Sequence, residues 1–128
     1  MSKTIHHEVV FSASPRRVYE ALMTTEQHGS FTGGEANISP DVGGAFSCHD
    51  GQITGRNVEL VENETIVQAW RVAAWDAGLY SIVKLQLSAE GEGTRLVLDH
   101  SGVPDGMRDA IDAGWHARYW GPLATFLS

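Results

Sequence analysis

The chain has 128 residues, 42% apolar and 20% charged, a balance that suits one globular domain and excludes disordered and fibrous classes. Nine Lys and Arg stand against sixteen Asp and Glu, and only Arg16-Arg17 are adjacent, so the net charge of −7 disfavours nucleic acid and anionic membrane as partners. The single Cys48 permits no intrachain disulfide, and no apolar run suits a secretory signal or a bilayer span, so a cytoplasmic protein is the default expectation.

The first element is read in "TIHHEVVFSA". Ile5, His7, Val9 and Phe11 share one phase, with His6, Glu8 and Val10 on the other, as in a strand. Ser14 then stands where an N-cap accepts orphan backbone donors, and Pro15 suits the first helical position. Val18, Tyr19, Leu22 and Met23 recur at helical spacing. A second short helix is expected over roughly 25–30 on a Thr25 cap, ended by Gly33-Gly34.

From residue 35 to about 101 the pattern is strands and turns. "EANIS", "AFSCH", "QITGRNVELV", "TIVQAWRVAAW", "LYSIVKLQLSA" and "TRLVLDHSG" read as strands, with Asp50-Gly51 marking a tight hairpin. Val83, Leu85, Leu87 and Leu96, Leu98 hold one phase against Lys84, Gln86, Arg95 and Asp99, which predicts a sheet with one dry face. The inward phase of 53–61 and 65–72 stays open. Gln68 is therefore either a ligand contact or a residue of the wet face.

A long helix is expected over about 105–127. At helical spacing Met107, Ile111, Trp115, Tyr119, Pro122 and Phe126 share one face. Trp120, Leu123 and Leu127 widen that arc, and Ala110, Ala113, Ala117 and Ala124 form a strip beside it. This is more apolar surface than one sheet needs. Trp120, Leu127 and the alanines thus suggest a second contact, a homodimer being the simplest. Gly121-Pro122 removes a backbone donor and should kink or break the helix there.

The order of elements predicts an α+β helix-grip fold: a curved antiparallel sheet of six to seven strands around a long C-terminal helix, with two short helices after the first strand. Space left between a bent sheet and a straight helix is where a ligand would sit. "FSASPRRVYEAL", "PDVGGAFSCHDGQITGRNVEL", "IVQAWRV", "GTRLVLDHSGVP" and "GWHARYWGPLATFL" together resemble the START-like superfamily. Within it, they are similar to the family of activators of heat-shock-protein-90 ATPase. The resemblance covers nearly the whole chain and implies one domain over 1–128. Its relatives include lipid carriers, hormone binders, cyclases and chaperone activators, so it implies a fold and no shared catalytic set. Members commonly carry a tryptophan near the end of the second short helix, where this chain has Ser30-Phe31.

Candidate chemistry starts from six histidines. His6 and His7 point to opposite faces of a strand, no histidine pair has helix-face spacing, and no Cys-x-x-Cys occurs, so neither a metal nor another cofactor is expected. His100 continues the inward phase of Leu96 and Leu98. It reads either as a hydrogen-bonded core histidine, the favoured reading since no orienting partner is evident, or as an acid–base group acting with Tyr119. Cys48 and His49 are strand neighbours and are expected to point apart. His116 is placed at the surface. Trp75 suits core or ligand equally, and Trp70 leans to the core.

The expected cavity is lined by Val83, Leu85, Leu96, Leu98, His100, Met107, Ile111, Trp115 and Tyr119. Binding of a small apolar or amphipathic ligand is the first functional reading. A cavity enzyme using His100 and Tyr119, cyclase- or hydrolase-like, is the second. A co-chaperone or adaptor acting through its surface is the third, weakened by the lack of a second module.

Overall fold

The computed structural model describes residues 3–128. In chain order they form β1 (Ile5–Phe11), α1 (Pro15–Met23), α2 (Thr25–Thr32), β2 (Asn37–Ile38), β3 (Ala45–Cys48), β4 (Ile53–Val61), β5 (Thr65–Val72), β6 (Ser81–Glu90), β7 (Gly93–Ser101), α3 (Arg108–Gly114), a π-helical turn (Trp115–Trp120) and α4 (Gly121–Leu127). All seven strands join one curved antiparallel sheet in the order β1-β7-β6-β5-β4-β3-β2. The first strand pairs with the last, Ile5 opposite His100.

Local chemistry explains the first elements. Ser14 Oγ accepts from Arg17 N–H at 3.3 Å and Pro15 opens α1, as the cap reading requires. α2 runs two residues further than expected and stops at Gly33, whose φ of 76° is open to glycine at no steric cost. Thr25 does not cap α2. Its hydroxyl accepts from Ile38 N–H at 2.8 Å and so ties the helix to β2.

The dry face is the one read from the alternation. Val83, Leu85, Leu87, Leu96 and Leu98 are all buried, with Leu85 opposite Leu98 and Leu87 opposite Leu96. The open phase of the neighbouring strands is settled by the same face: Ile53 and Asn57 on β4, Ile66 and Trp70 on β5, point inward. Asn57 is a buried polar residue with its bonds made. Its amide donates to the carbonyls of Ser39 and Asp41 at 2.8 and 3.1 Å, and its Oδ1 accepts from Gln68 Nε2 at 3.2 Å. Gln68 thus belongs to the inward row. The register slips by one residue just beyond, between Asn57 and Glu59, the bulge that a bending sheet uses.

Gly55 sits in that inward row between Phe46 and Trp70. A Cβ there would lie 1.9 Å from the Ala69 carbonyl oxygen and 2.6 Å from the Phe46 ring. The backbone oxygen cannot rotate away as a side chain could. Gly55→Ala is therefore expected to cost about 2–3 kcal/mol, at the upper end for overpacking, read as a lower urea midpoint. An unchanged midpoint would show that the sheet bends freely at this point.

The C-terminal helix, expected over about 105–127 with a kink or break at Gly121-Pro122, is divided earlier than that. It begins at Arg108, and its middle turn is π-helical. Pro122 supplies the reason. It has no N–H to give to residue 118, and its ring crowds that carbonyl. The turn before it widens, and Gly121 N–H bonds instead to His116 O, five residues back. With more residues in that turn, Trp115, Tyr119 and Trp120 all become buried. Trp120 and Leu127, assigned above to a second contact, are thus core residues of this chain at 5% and 4% exposure. Met107 is a second correction. It precedes the first turn of α3 and is 45% exposed, so it does not face the sheet.

Candidate functional site

Two tryptophans of the π turn fasten the helix to the sheet through histidines. Trp115 Nε1–H donates to His100 Nδ1 at 3.0 Å, and Trp120 Nε1–H donates to His7 Nδ1 at 2.9 Å. Indole is a donor only, so in both histidines Nδ1 must be the acceptor and Nε2 carries the hydrogen. His100 Nε2–H then donates to Ser81 Oγ at 2.7 Å, and Ser81 passes its own hydrogen to Trp70 O at 3.1 Å. His7 Nε2–H meets the Asp112 carboxylate. The two indoles stack with centroids 5.3 Å apart.

His100 therefore has the orienting partners that its sequence context did not reveal. It is fully buried, both ring nitrogens are engaged, and burial holds its pKa down at about 4. Tyr119 lines two cavities beneath the helix, and His100 lines neither. His100 and Tyr119, the alternative acid–base pair, thus share neither of these cavities, and the bonds of His100 are those of a core histidine.

His7, Asp112 and His116 offer ligand atoms within 4.8 Å of one another, a spacing that a metal ion would accept. The hydrogen bonds oppose that use. A neutral imidazole has one lone pair, and His7 spends it on Trp120, leaving an N–H toward Asp112. The cluster is a clamp between β1 and α3, with the exposed His116 ring 4.2 Å from that of His7. His6 lies on the other side of the strand and bonds Asp99 and Glu8 at 2.7 and 2.9 Å.

A second polar nest lies around Tyr119. Its hydroxyl is 3.1 Å from His49 Nε2 and 3.6 Å from Cys48 Sγ. Cys48 and His49 do not point apart, because His49 and Asp50 already lie in the left-handed region (φ 52° and 60°) and end the strand alternation. Burial pushes the Cys48 thiol up to about 11, so it stays protonated and inert. Burial also lowers His49 and, with the His49 charge second, brings His28 down to about 4. His28 is 4% exposed and its Nδ1 has no hydrogen-bond partner among the described residues. Phe31 is buried against His28 and Tyr119.

Two cavities flank this nest. The outer one is a cleft of about 290 Å³ between the β4 and β5 strands and the helix, lined by Gln52, Ile53, Trp70, Val72, Ala110, Ile111, Gly114, Trp115, Arg118 and Tyr119. The inner one, about 30 Å³, lies among His28, Cys48, Gln68, Leu85, Trp115 and Tyr119. Of the residues named for a cavity, Ile111, Trp115 and Tyr119 line the cleft and Leu85 lines the inner space. Val83, Leu96 and Leu98 are packed in the core and line neither space. The residues missed are Gln52, Ile53, Val72 and Arg118 in the cleft, and His28 and His49 beside it. Of these only His49 had a local signal, the turn marked by Asp50-Gly51.

Residues 12–128 match the family described as Activator of Hsp90 ATPase homolog 1-like protein. The human protein named Activator of 90 kDa heat shock protein ATPase homolog 1 is 29% identical over 110 residues, covering 86% of this chain and 32% of its own length. The chain spans about a third of the curated relatives it matches. An Hsp90 activator from Plasmodium falciparum has the same fold, with a TM-score of 0.93 at 22% identity, covering 98% of this chain and 96% of its own. The Aha1 dimer from Colwellia psychrerythraea follows at 0.83 and 18% identity, covering 98% and 96%. No helix among the described residues is long and apolar enough to cross a membrane. With its sheet, its gripping helix and this match over most of its length, the chain belongs to the Activator of Hsp90 ATPase homolog 1-like protein family.

Proposed function

We propose that the protein binds a small apolar or amphipathic molecule in the cleft between β4, β5 and the C-terminal helix. One observation carries the reading. The helix does not close on the sheet at this end, and the opening of about 290 Å³ is floored by Trp70, Trp115, Ile53 and Ile111. A concave, mainly apolar space with a few polar groups is what a small ligand needs. Native mass spectrometry of protein from its own host is expected to show a retained small molecule, absent from Ile111→Trp, whose larger side chain fills the cleft. Protein free of ligand throughout, and indifferent to added naphthyl probes, would sink the reading.

A second reading rests on the family match: the chain raises ATP turnover by an Hsp90, as the names of its relatives say of them. Steady-state turnover by the host's Hsp90 should rise on adding the chain, and an unchanged rate would remove the idea. The homodimer keeps only the exposed strip of Ala110, Ala113, Ala117 and Ala124 as its argument. Sedimentation showing monomer at high micromolar concentration would dispose of it.

A further inference from the structure

The cleft does not end at its apolar floor. A second, polar notch of about 350 Å³ lies beside it, lined by Thr32, Gly33, Gly34, His49, Asp50, Gln52 and Arg118. Gln52 and Arg118 line both spaces. One molecule placed in the cleft thus meets these two side chains where it leaves the apolar walls.

Arg118 is the only cation lining either space, and it makes no ion pair or hydrogen bond among the described residues. Asp50 is the one carboxylate lining the notch, and its Oδ1 accepts from Glu35 N–H at 2.8 Å. Gln52 adds an amide donor. The His49 ring lines the notch beside them, its Nε2 3.1 Å from the Tyr119 hydroxyl. An acidic protein of net charge −7 has therefore placed a guanidinium and an amide donor at the mouth of an aromatic slot. A planar fork of donors matches a carboxylate.

We propose that the cleft selects an anionic amphipath, an aryl or alkyl carboxylate whose apolar body lies against Trp70 and Trp115 and whose carboxylate is held by Arg118 and Gln52. This rests on the ligand-binding reading above and adds the charge of the ligand to it. An anion there would also screen His49 from Arg118, whose charge, second to burial and against that of Asp50, disfavours its protonation.

The test uses a matched pair, 1-naphthylacetate and its neutral amide, titrated calorimetrically into wild type, Arg118→Gln and Ile111→Trp. Wild type is expected to bind the acid about ten-fold tighter than the amide, the scale of one charge-assisted hydrogen bond. Arg118→Gln should bind both with the affinity of the amide, and Ile111→Trp should bind neither. His49 followed by NMR should titrate at higher pH with the acid bound and not with the amide. Equal binding of acid and amide to wild type would overturn the anion preference and leave the cleft as a binder. A preference surviving in Arg118→Gln would also overturn it, since the anion would then be held elsewhere. Failure of both probes to bind wild type would remove the underlying reading as well.

Discussion

Acidification from pH 7 to pH 4 is expected to strip this protein of much of its stability, and to do so through two histidines. His28 and His100 are held at about 4 in the folded chain, chiefly by burial, against about 6.5 when unfolded. Their folded values lie below their unfolded ones. The unfolded chain therefore binds more protons between the two, and stability rises with pH across that window. The contribution is complete above pH 6.5, falls as pH drops toward 4, and loses nothing further below. Each site is worth on the order of 3 kcal/mol, against a total of about 5–15 kcal/mol for a domain.

The hydrogen bonds give the same sign independently. A protonated His100 would turn an N–H toward the Trp115 indole N–H, donor against donor, in a site with no exposure. Urea midpoints at pH 7.5, 5.5 and 4.5 measure the effect. Carboxylates titrate at the lower end of this range as well, so the decisive comparison is with His28→Leu, which should flatten the slope. Equal midpoints from pH 7.5 to 4.5 would show that neither imidazole is held neutral.

Trp115→Ala should produce the second large loss, about 3–5 kcal/mol, as expected when a buried aromatic is truncated. Trp115 is 5% exposed and its ring packs on Trp70, Tyr119 and Trp120, at 6.2, 4.7 and 5.3 Å. The substitution also orphans His100 Nδ1 and opens the floor of the cleft into the core. Trp115→Phe separates these effects. It keeps most of the packing and removes the donor, for about 1–3 kcal/mol, the cost of an unsatisfied buried acceptor. If Trp115→Phe were as stable as wild type, the indole–imidazole bond would carry nothing. If Trp115→Ala were, Trp115 would not be core.

Much of the fold could be read from local pattern. Ser14 and Pro15 start α1, Gly33 stops α2, and the alternation of Val83, Leu85, Leu96 and Leu98 selects the buried face. These features depend on residues within a turn or a pleat of one another, and their period is built into the backbone. Where the backbone leaves its period, the reading fails. The left-handed conformation of His49 brings it to the same hydroxyl as Cys48, though neighbours on a strand diverge. The π turn before Pro122 moves Trp120 from an outer face to the core, which a wheel drawn at constant pitch cannot show.

What the sequence determined by itself was the order of elements, their buried faces and hence the helix-grip architecture, because hydrophobic burial acts through short-range periodicity. What only the tertiary structure decided was which polar groups meet. His100 finds Ser81 and Trp115, His7 finds Trp120 and Asp112, and Gln52 reaches the mouth that Arg118 guards from the far end of the chain. Hydrogen bonds and charges act over a few ångströms in space, and no spacing along the chain encodes those distances. The fold follows from the pattern, while the chemistry of the cleft follows from the packing.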